Sequence, residues 1–183
     1  YTQSGIYSYG GSSTSNNYSM SFDGVNDYIS IGTSGVPATL QIQNEITLES
    51  WIYLTQYPSF LGLIMGCQSD EIYHSGYSIH IDNRLNPDGH TAPQGHIHFQ
   101  IGDGSWHTTN SQTTVPLNQW VHIAVTRTPN NPAKIYYNGV LQPSMSISWS
   151  GNITYNNSDF NIGYQAYSAR YFPGFVEGSR VWN

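Results

Sequence analysis

The chain has 183 residues, 38% hydrophobic and 9% charged, which is enough for one domain with a substantial core but far below the roughly 25% charge of an average soluble protein. One lysine, Lys134, and four arginines against eleven acids leave a net charge of −6, without the basic footprint that nucleic-acid binding or an anionic membrane surface requires. No apolar run approaches the ~20 residues of a membrane span, so membrane insertion is not expected, and the opening "YTQSGIYSYGG" lacks the basic start and apolar stretch of a signal peptide, reading as a mature or excised chain.

In chain order, residues 1–18 are rich in Gly, Ser, Tyr and Asn without periodicity and read as an irregular N-terminal arm or linker; the domain proper covers residues 19–183. From Met20 onward period-two segments follow one another: "SMSFDG", "DYISIG", "ITLESWIYL", "LGLIMGC", "YSIHID", "HIHFQIG", "WVHIAVTRT", "AKIYYNGVLQ", "SMSISWS", "FNIGYQ" and "GFVEGSRVW". Turn chemistry fills the gaps, and Asn138-Gly139 suits the two positive φ angles of a tight hairpin. Many short strands at this spacing predict an all-β sandwich or barrel. The single cysteine, Cys67, closes an apolar run and reads as a small buried residue, not as a nucleophile or half of a disulfide.

Alternation also assigns faces. In "YSIHID" Tyr77, Ile79 and Ile81 point one way and Ser78, His80 and Asp82 the other; in "HIHFQI" Ile97, Phe99 and Ile101 oppose His96, His98 and Gln100. Pairing these strands as a hairpin puts His80, Asp82, His96 and His98 on one exposed face, either as solvent-facing groups or as imidazole and carboxylate donors for a zinc or copper ion. Sheet-face histidines of this kind are expected to lack the closed second shell that such an ion needs. In "WVHIAVTR" Val121, Ile123 and Val125 oppose Trp120, His122, Ala124 and Thr126. Trp51, Trp120 and Trp182 are nevertheless expected in the core, where most sandwich aromatics lie.

Four stretches in order, "SMSFDGVNDYISIG", "ITLESWIYL", "LNQWVHIAVTRTPNNPAKIYYNGVLQ" and "FNIGYQ...FPGFVEGSRVWN", resemble the laminin G-like, pentraxin-related group of concanavalin A-like domains from about residue 19 to the end. The resemblance implies a two-sheet antiparallel jelly-roll β-sandwich in which "SMSF" lies beside "RVWN" and Glu49 pairs with Arg180. It also implies a calcium ion held by loop oxygens, for which "FDGVND" offers Asp23, Asn26 and Asp27, the alternative being a plain Asx-rich turn. The chain departs from the family pattern at "VEG" and "RTPNNP", where acidic residues are usual.

Glycoside hydrolysis needs two carboxylates at a defined separation. Glu45 and Glu49 do not offer it, adjacent Asp70 and Glu71 diverge on an extended backbone, and no Gly-x-Ser-x-Gly elbow occurs. Sugar recognition needs aromatic rings for apolar pyranose faces and planar polar groups for hydroxyls. Candidates are Tyr73 and His74, Asn83 and Arg84, Trp106 and His107, Tyr167, and the face carrying His80, His96 and His98, with Trp106 the ring most expected to be exposed. The functional expectation is a non-catalytic glycan-binding or adhesion module, extracellular, cell-surface or virion-surface, whose partner is a glycan or cell-surface polysaccharide. The alternative is an assembly module whose Tyr- and Asn-rich surface packs against neighbouring subunits.

Overall fold

The computed structural model describes residues 7–8, 18–32, 35–68, 73–89, 91–146, 148–157, 159–165 and 168–183. Among them there is no α-helix, only two short 3-10 turns at Ala38–Leu40 and Pro87–Gly89, and no helix is long and apolar enough to cross a membrane. Among the described residues sixteen strands form two seven-stranded antiparallel sheets and one small ribbon. The first sheet runs in the order β1 (Tyr7–Ser8), β2 (Tyr18–Asp23), β16 (Pro173–Trp182), β4 (Ile46–Leu54), β9 (Trp120–Arg127), β10 (Lys134–Tyr137) and β11 (Val140–Leu141). The second runs β12 (Ser144–Ser146), β8 (Trp106–Thr114), β7 (His96–Asp103), β6 (Ser75–Asp82), β5 (Leu61–Gly66), β13 (Phe160–Ile162) and β3 (Ile29–Ile31), and the ribbon pairs β14 (Tyr164–Gln165) with β15 (Arg170–Tyr171).

The predicted alternation builds the core. Ile46, Leu48, Ile52 and Leu54 of β4 and Val121, Ile123 and Val125 of β9 meet Tyr77, Ile79 and Ile81 of β6 and Ile97, Phe99 and Ile101 of β7, all buried in one cluster between the sheets. Each fully buried side chain of this kind contributes roughly 1.5–3 kcal/mol of apolar transfer. The buried Tyr77 ring keeps its hydroxyl paired by donating to Leu40 O at 2.9 Å, as a phenol removed from water must. Asn138 (φ 49) and Gly139 (φ 78) adopt the two positive φ angles expected at the β10–β11 turn.

Two details differ from the sequence reading. β2 pairs with the start of β16, Pro173↔Asp23 to Val176↔Met20, whereas Arg180 to Trp182 lie beside β4, so "SMSF" sits against "PGFV" and not "RVWN". β8, "WHTTNSQTT", is a nine-residue strand that shows no apolar alternation, because it lies near a sheet edge with polar groups on both sides. In the arm, Tyr7 and Ser8 pair with Ser19 and Tyr18; its other residues, up to 17, fall outside the described ones.

The partner shift within β16 positions the site described next. Between Glu177, opposite Trp51, and Arg180, opposite Glu49, β16 carries one residue more than β4, with Gly178 at φ 60. This β-bulge reverses the alternation beyond it. Ser179 therefore turns inward, its hydroxyl 3.0 Å from that of Ser50, and Arg180 and Trp182 share a face with Glu49.

Candidate functional site

Because Ile46, Leu48, Ile52 and Leu54 fill the core, the residues between them must face outward, and Trp51 is 41% exposed. Cross-strand registry then assembles an aromatic platform on the outer face of the first sheet. Phe175, Tyr53 and Trp120 stand opposite one another on β16, β4 and β9, with the Tyr53 ring 5.7 Å from each neighbour at near-perpendicular angles. In the next row Trp51 lies between Glu177 and His122, its ring 5.1 Å from the imidazole.

Beyond these rows sits Glu49. Its Oε1 accepts from Arg180 Nη1 and from Trp182 Nε1, each at 3.3 Å, and its Oε2 lies 3.5 Å from His122 Nε2. The expected Glu49–Arg180 pair is therefore present, but as the centre of a surface cluster, with side chains 22% and 54% exposed. Trp182 is 53% exposed. Core placement of Trp51 and Trp182 is thus corrected, and Trp120 is half-buried. Strand parity in "ITLESWIYL" and "WVHIAVTR" already placed Trp51 and Trp120 outward; the general preference of tryptophan for cores overrode that signal.

The hairpin predicted from "YSIHID" and "HIHFQI" forms, with His80 opposite His98 and Asp82 opposite His96. Its polar face is covered and not exposed: His80, Asp82 and His96 are 0% exposed and His98 2%. Leu61 and Leu63, buried outside the main core cluster, lie on that face beside Asp82 and His80. The β14–β15 ribbon also reaches it, for Gln165 Oε1 lies 3.2 Å from His80 Nε2 and accepts from Arg170 Nη1 at 3.1 Å. Burial first, then neighbouring His98, holds His80 well below the usual imidazole range. Asp82 is held by Arg84, whose Nη2 is 2.7 Å from Oδ2, and the Arg84 guanidinium lies 5.0 Å from the Phe60 ring centre.

The remaining candidates divide between the two ends of this hairpin. Tyr73, 55% exposed, and His74 precede β6. The His74 ring is 5.1 Å from Trp106, which is only half-buried. His107 turns to the sandwich edge, stacked 4.4 Å from Trp149 with Asp103 bridging both, at 3.1 Å from His107 Nε2 and from Trp149 Nε1. Asn83 and Arg84 follow β6 at the other end, separated from His74 by the eight residues of that strand, about 30 Å at a strand's rise. These groups form no single pocket, and Tyr167 falls outside the described residues.

The "FDGVND" turn is an Asx turn: Asp23 Oδ1 accepts the N–H groups of Val25 (2.7 Å) and Asn26 (3.1 Å), and Asp27 Oδ2 accepts that of Asp23 (3.1 Å). The Asn26 and then the Val25 N–H hold the Asp23 carboxyl below its usual value. With these oxygens engaged by backbone, the three side chains do not by themselves supply the six to eight oxygens that calcium takes. Cys67 is buried as expected, its thiol pushed up to about 12 by burial.

Two antiparallel sheets enclosing one core, with the N- and C-terminal strands adjacent, define a sandwich of the concanavalin A type. The chain belongs to the concanavalin A-like lectin/glucanases superfamily, whose laminin G-type family model matches residues 23–183. No curated protein sequence matches it.

Among solved structures, domain 4 of an extracellular arabinanase from Geobacillus stearothermophilus, in complex with arabinotriose, is 19% identical with a TM-score of 0.62, over 91% of this chain and 71% of that one. The mouse laminin alpha1 chain, domains LG4-5, is 14% identical with a TM-score of 0.63, over 89% of this chain and 40% of that one. The CBM40 of the Ruminococcus gnavus IT-sialidase, bound to alpha2,3 sialyllactose, is 15% identical with a TM-score of 0.61, over 86% and 90%. At these identities the likeness is one of fold, a fold used by carbohydrate-binding modules.

Proposed function

We propose that this domain is a non-catalytic carbohydrate-binding module of a secreted or surface-displayed protein, and that its sugar-contacting surface is the Glu49 platform on the first sheet. The observation that carries the reading is the exposure of Trp51 and Trp182 around Glu49, which accepts from Arg180 and Trp182 and lies 3.5 Å from His122. Flat rings offer stacking surfaces to the apolar faces of pyranose or furanose rings, and a carboxylate flanked by a guanidinium and an imidazole offers acceptors and donors to hydroxyls. The arabinotriose and sialyllactose complexes of fold neighbours support the ligand class. The Tyr73, His74 and Trp106 rim is the competing contact surface.

An exposed aromatic face is also what an assembly module would bury against a second copy. The experiment is therefore binding to a glycan array, to arabinotriose and to alpha2,3 sialyllactose, with calcium and with a chelator, beside light-scattering mass measurement. Wild-type protein is compared with Trp51→Ala, Trp182→Ala and Trp106→Ala. Monomeric protein whose binding is lost in the first two variants supports the platform. Loss only in Trp106→Ala moves the site to the rim, and chelator sensitivity adds a calcium contact. A dimer dispersed by Trp51→Ala, with no glycan bound, replaces the reading with assembly.

A further inference from the structure

The covered face of the second sheet brings imidazole, amide and carboxylate electron-pair donors to face one another. His96 Nδ1 lies 2.7 Å from Pro93 O. A carbonyl only accepts, so Nδ1 carries the hydrogen, and with that as the ring's single N–H the Nε2 presents a lone pair. That lone pair faces Asn110 Oδ1 at 3.2 Å and Asp82 Oδ2 at 3.7 Å. His98 repeats the pattern in the opposite tautomer. Its Nε2 lies 3.4 Å from Gln100 Oε1, which already accepts from Gln68 Nε2 at 2.8 Å, while Gln68 Oε1 accepts from Ser78 at 2.9 Å. Its Nδ1 lone pair then faces Asn110 Oδ1 at 2.7 Å and Asp82 Oδ2 at 3.8 Å.

Two imidazole nitrogens, a carboxylate oxygen and an amide oxygen thus converge with nitrogen–oxygen separations of 2.7, 3.2, 3.7 and 3.8 Å. Four ligands at the usual zinc bond lengths stand about 3.3 Å apart along a tetrahedron's edges. We propose that Asp82, His96, His98 and Asn110 bind one transition-metal ion of the zinc class. The ligand set is imidazole and oxygen, which suits zinc and cobalt better than softer ions.

A second shell orients three of the four ligands, contrary to what sheet-face histidines led one to expect. Pro93 O fixes His96, the Gln100–Gln68–Ser78 chain fixes His98, and the Arg84 side chain grips both oxygens of Asp82. In the same covered network His80 Nδ1, Gln165 Nε2 and Asn110 Nδ2 are buried without a hydrogen-bond partner, so its own side chains leave polar groups unsatisfied. The ion would knit β6, β7 and β8 together in the middle of the second sheet. Its role is structural and independent of the glycan platform on the first sheet.

Because the ligands are buried, the ion enters as the chain folds. The test refolds the whole chain with Zn2+, with Co2+ or with a chelator, then measures bound metal after desalting, the visible spectrum of the cobalt form, and the melting temperature. One metal per chain, an intense tetrahedral cobalt band, and a melting temperature higher by roughly 5–10 °C at a metal concentration 100 times the dissociation constant support the site. His98→Gln and Asp82→Asn abolish the band; should either fail to fold, the wild-type stoichiometry and spectrum still decide. If the Asn110 amide is turned over, its N–H2 donates to both rings and the cluster is a plain hydrogen-bonded network. Folded wild-type protein that retains no metal, with the same melting temperature in zinc and chelator, overturns the proposal.

Discussion

Glu49→Gln separates binding from stability. The substitution keeps a side-chain oxygen for Trp182 Nε1, at 3.3 Å in the native protein, but removes the charge that meets Arg180 at 3.3 Å and lies 3.5 Å from His122. With 54% of the Arg180 side chain and 22% of Glu49 exposed, solvent screens the pair, and exposed pairs contribute 0.2–1 kcal/mol each. The folding cost is therefore about 1 kcal/mol, a fall of roughly 2–4 °C in melting temperature for a domain of this size. Hydrogen bonds from a hydroxyl contribute roughly 1.5–3 kcal/mol to a charged acceptor and about 0.5–1.5 kcal/mol to a neutral one, and the Gln oxygen still accepts, so affinity should fall roughly 5- to 12-fold at about 1.4 kcal/mol per decade. Calorimetric titration of the strongest oligosaccharide from the array, beside thermal melting, reads both numbers. Unchanged affinity in a variant that melts as expected would refute a direct role for Glu49 in sugar contact.

Arg127 is 3% exposed and donates to the carbonyls of Asn44, Trp149 and Gly151, with no carboxylate beside it among the described residues. Arg127→Ala withdraws the donor from the Asn44 and Gly151 carbonyls, while that of Trp149 keeps the Asn130 N–H at 3.0 Å, and should cost about 3 kcal/mol in urea unfolding; a loss below 1 kcal/mol contradicts its role in clamping the sandwich edge. Gly178→Val places a β-branched residue at φ 60, which should cost about 1–2 kcal/mol and, by disturbing the bulge, weaken glycan binding along with stability. Wild-type melting temperature with undiminished binding would show that the bulge does not set the platform. Asp23 has a folded pKa depressed below 3.8, so the unfolded state takes up its proton first as pH falls, and its stabilising contribution is present above 3.8 and lost as pH drops through the folded value. Asp23→Ala should therefore narrow the stability gap from wild type in acid; a gap constant from pH 7 down to pH 2 would contradict the turn's dependence on the carboxylate.

The hairpin shows how far alternation carries. Period two alone placed His80, Asp82, His96 and His98 on one face, and their registry followed. Whether that face met water depended on Leu61 and Leu63, about twenty residues upstream, and on Gln165, far downstream, which no local pattern encodes. The same limit applies to Arg180 and Trp182, because the bulge at Gly178 exists only in the pairing with β4.

By itself the sequence determined an all-β chain, sandwich or barrel, the inward and outward residues of β6, β7 and β9, the Asn138-Gly139 turn, the buried thiol, and a shortage of basic residues. These follow from local periodicity, turn chemistry and composition, and need no partner strand to be read. Tertiary structure alone decided that a predicted exposed histidine face is a buried donor cluster completed by Asn110 of an unpredicted strand, and that Arg180 and Trp182 turn outward beside Glu49. Burial of a sheet's second face, bulges and cross-sheet registry are properties of what packs against a strand, and those contacts join residues too far apart in the chain for any local pattern to reveal them.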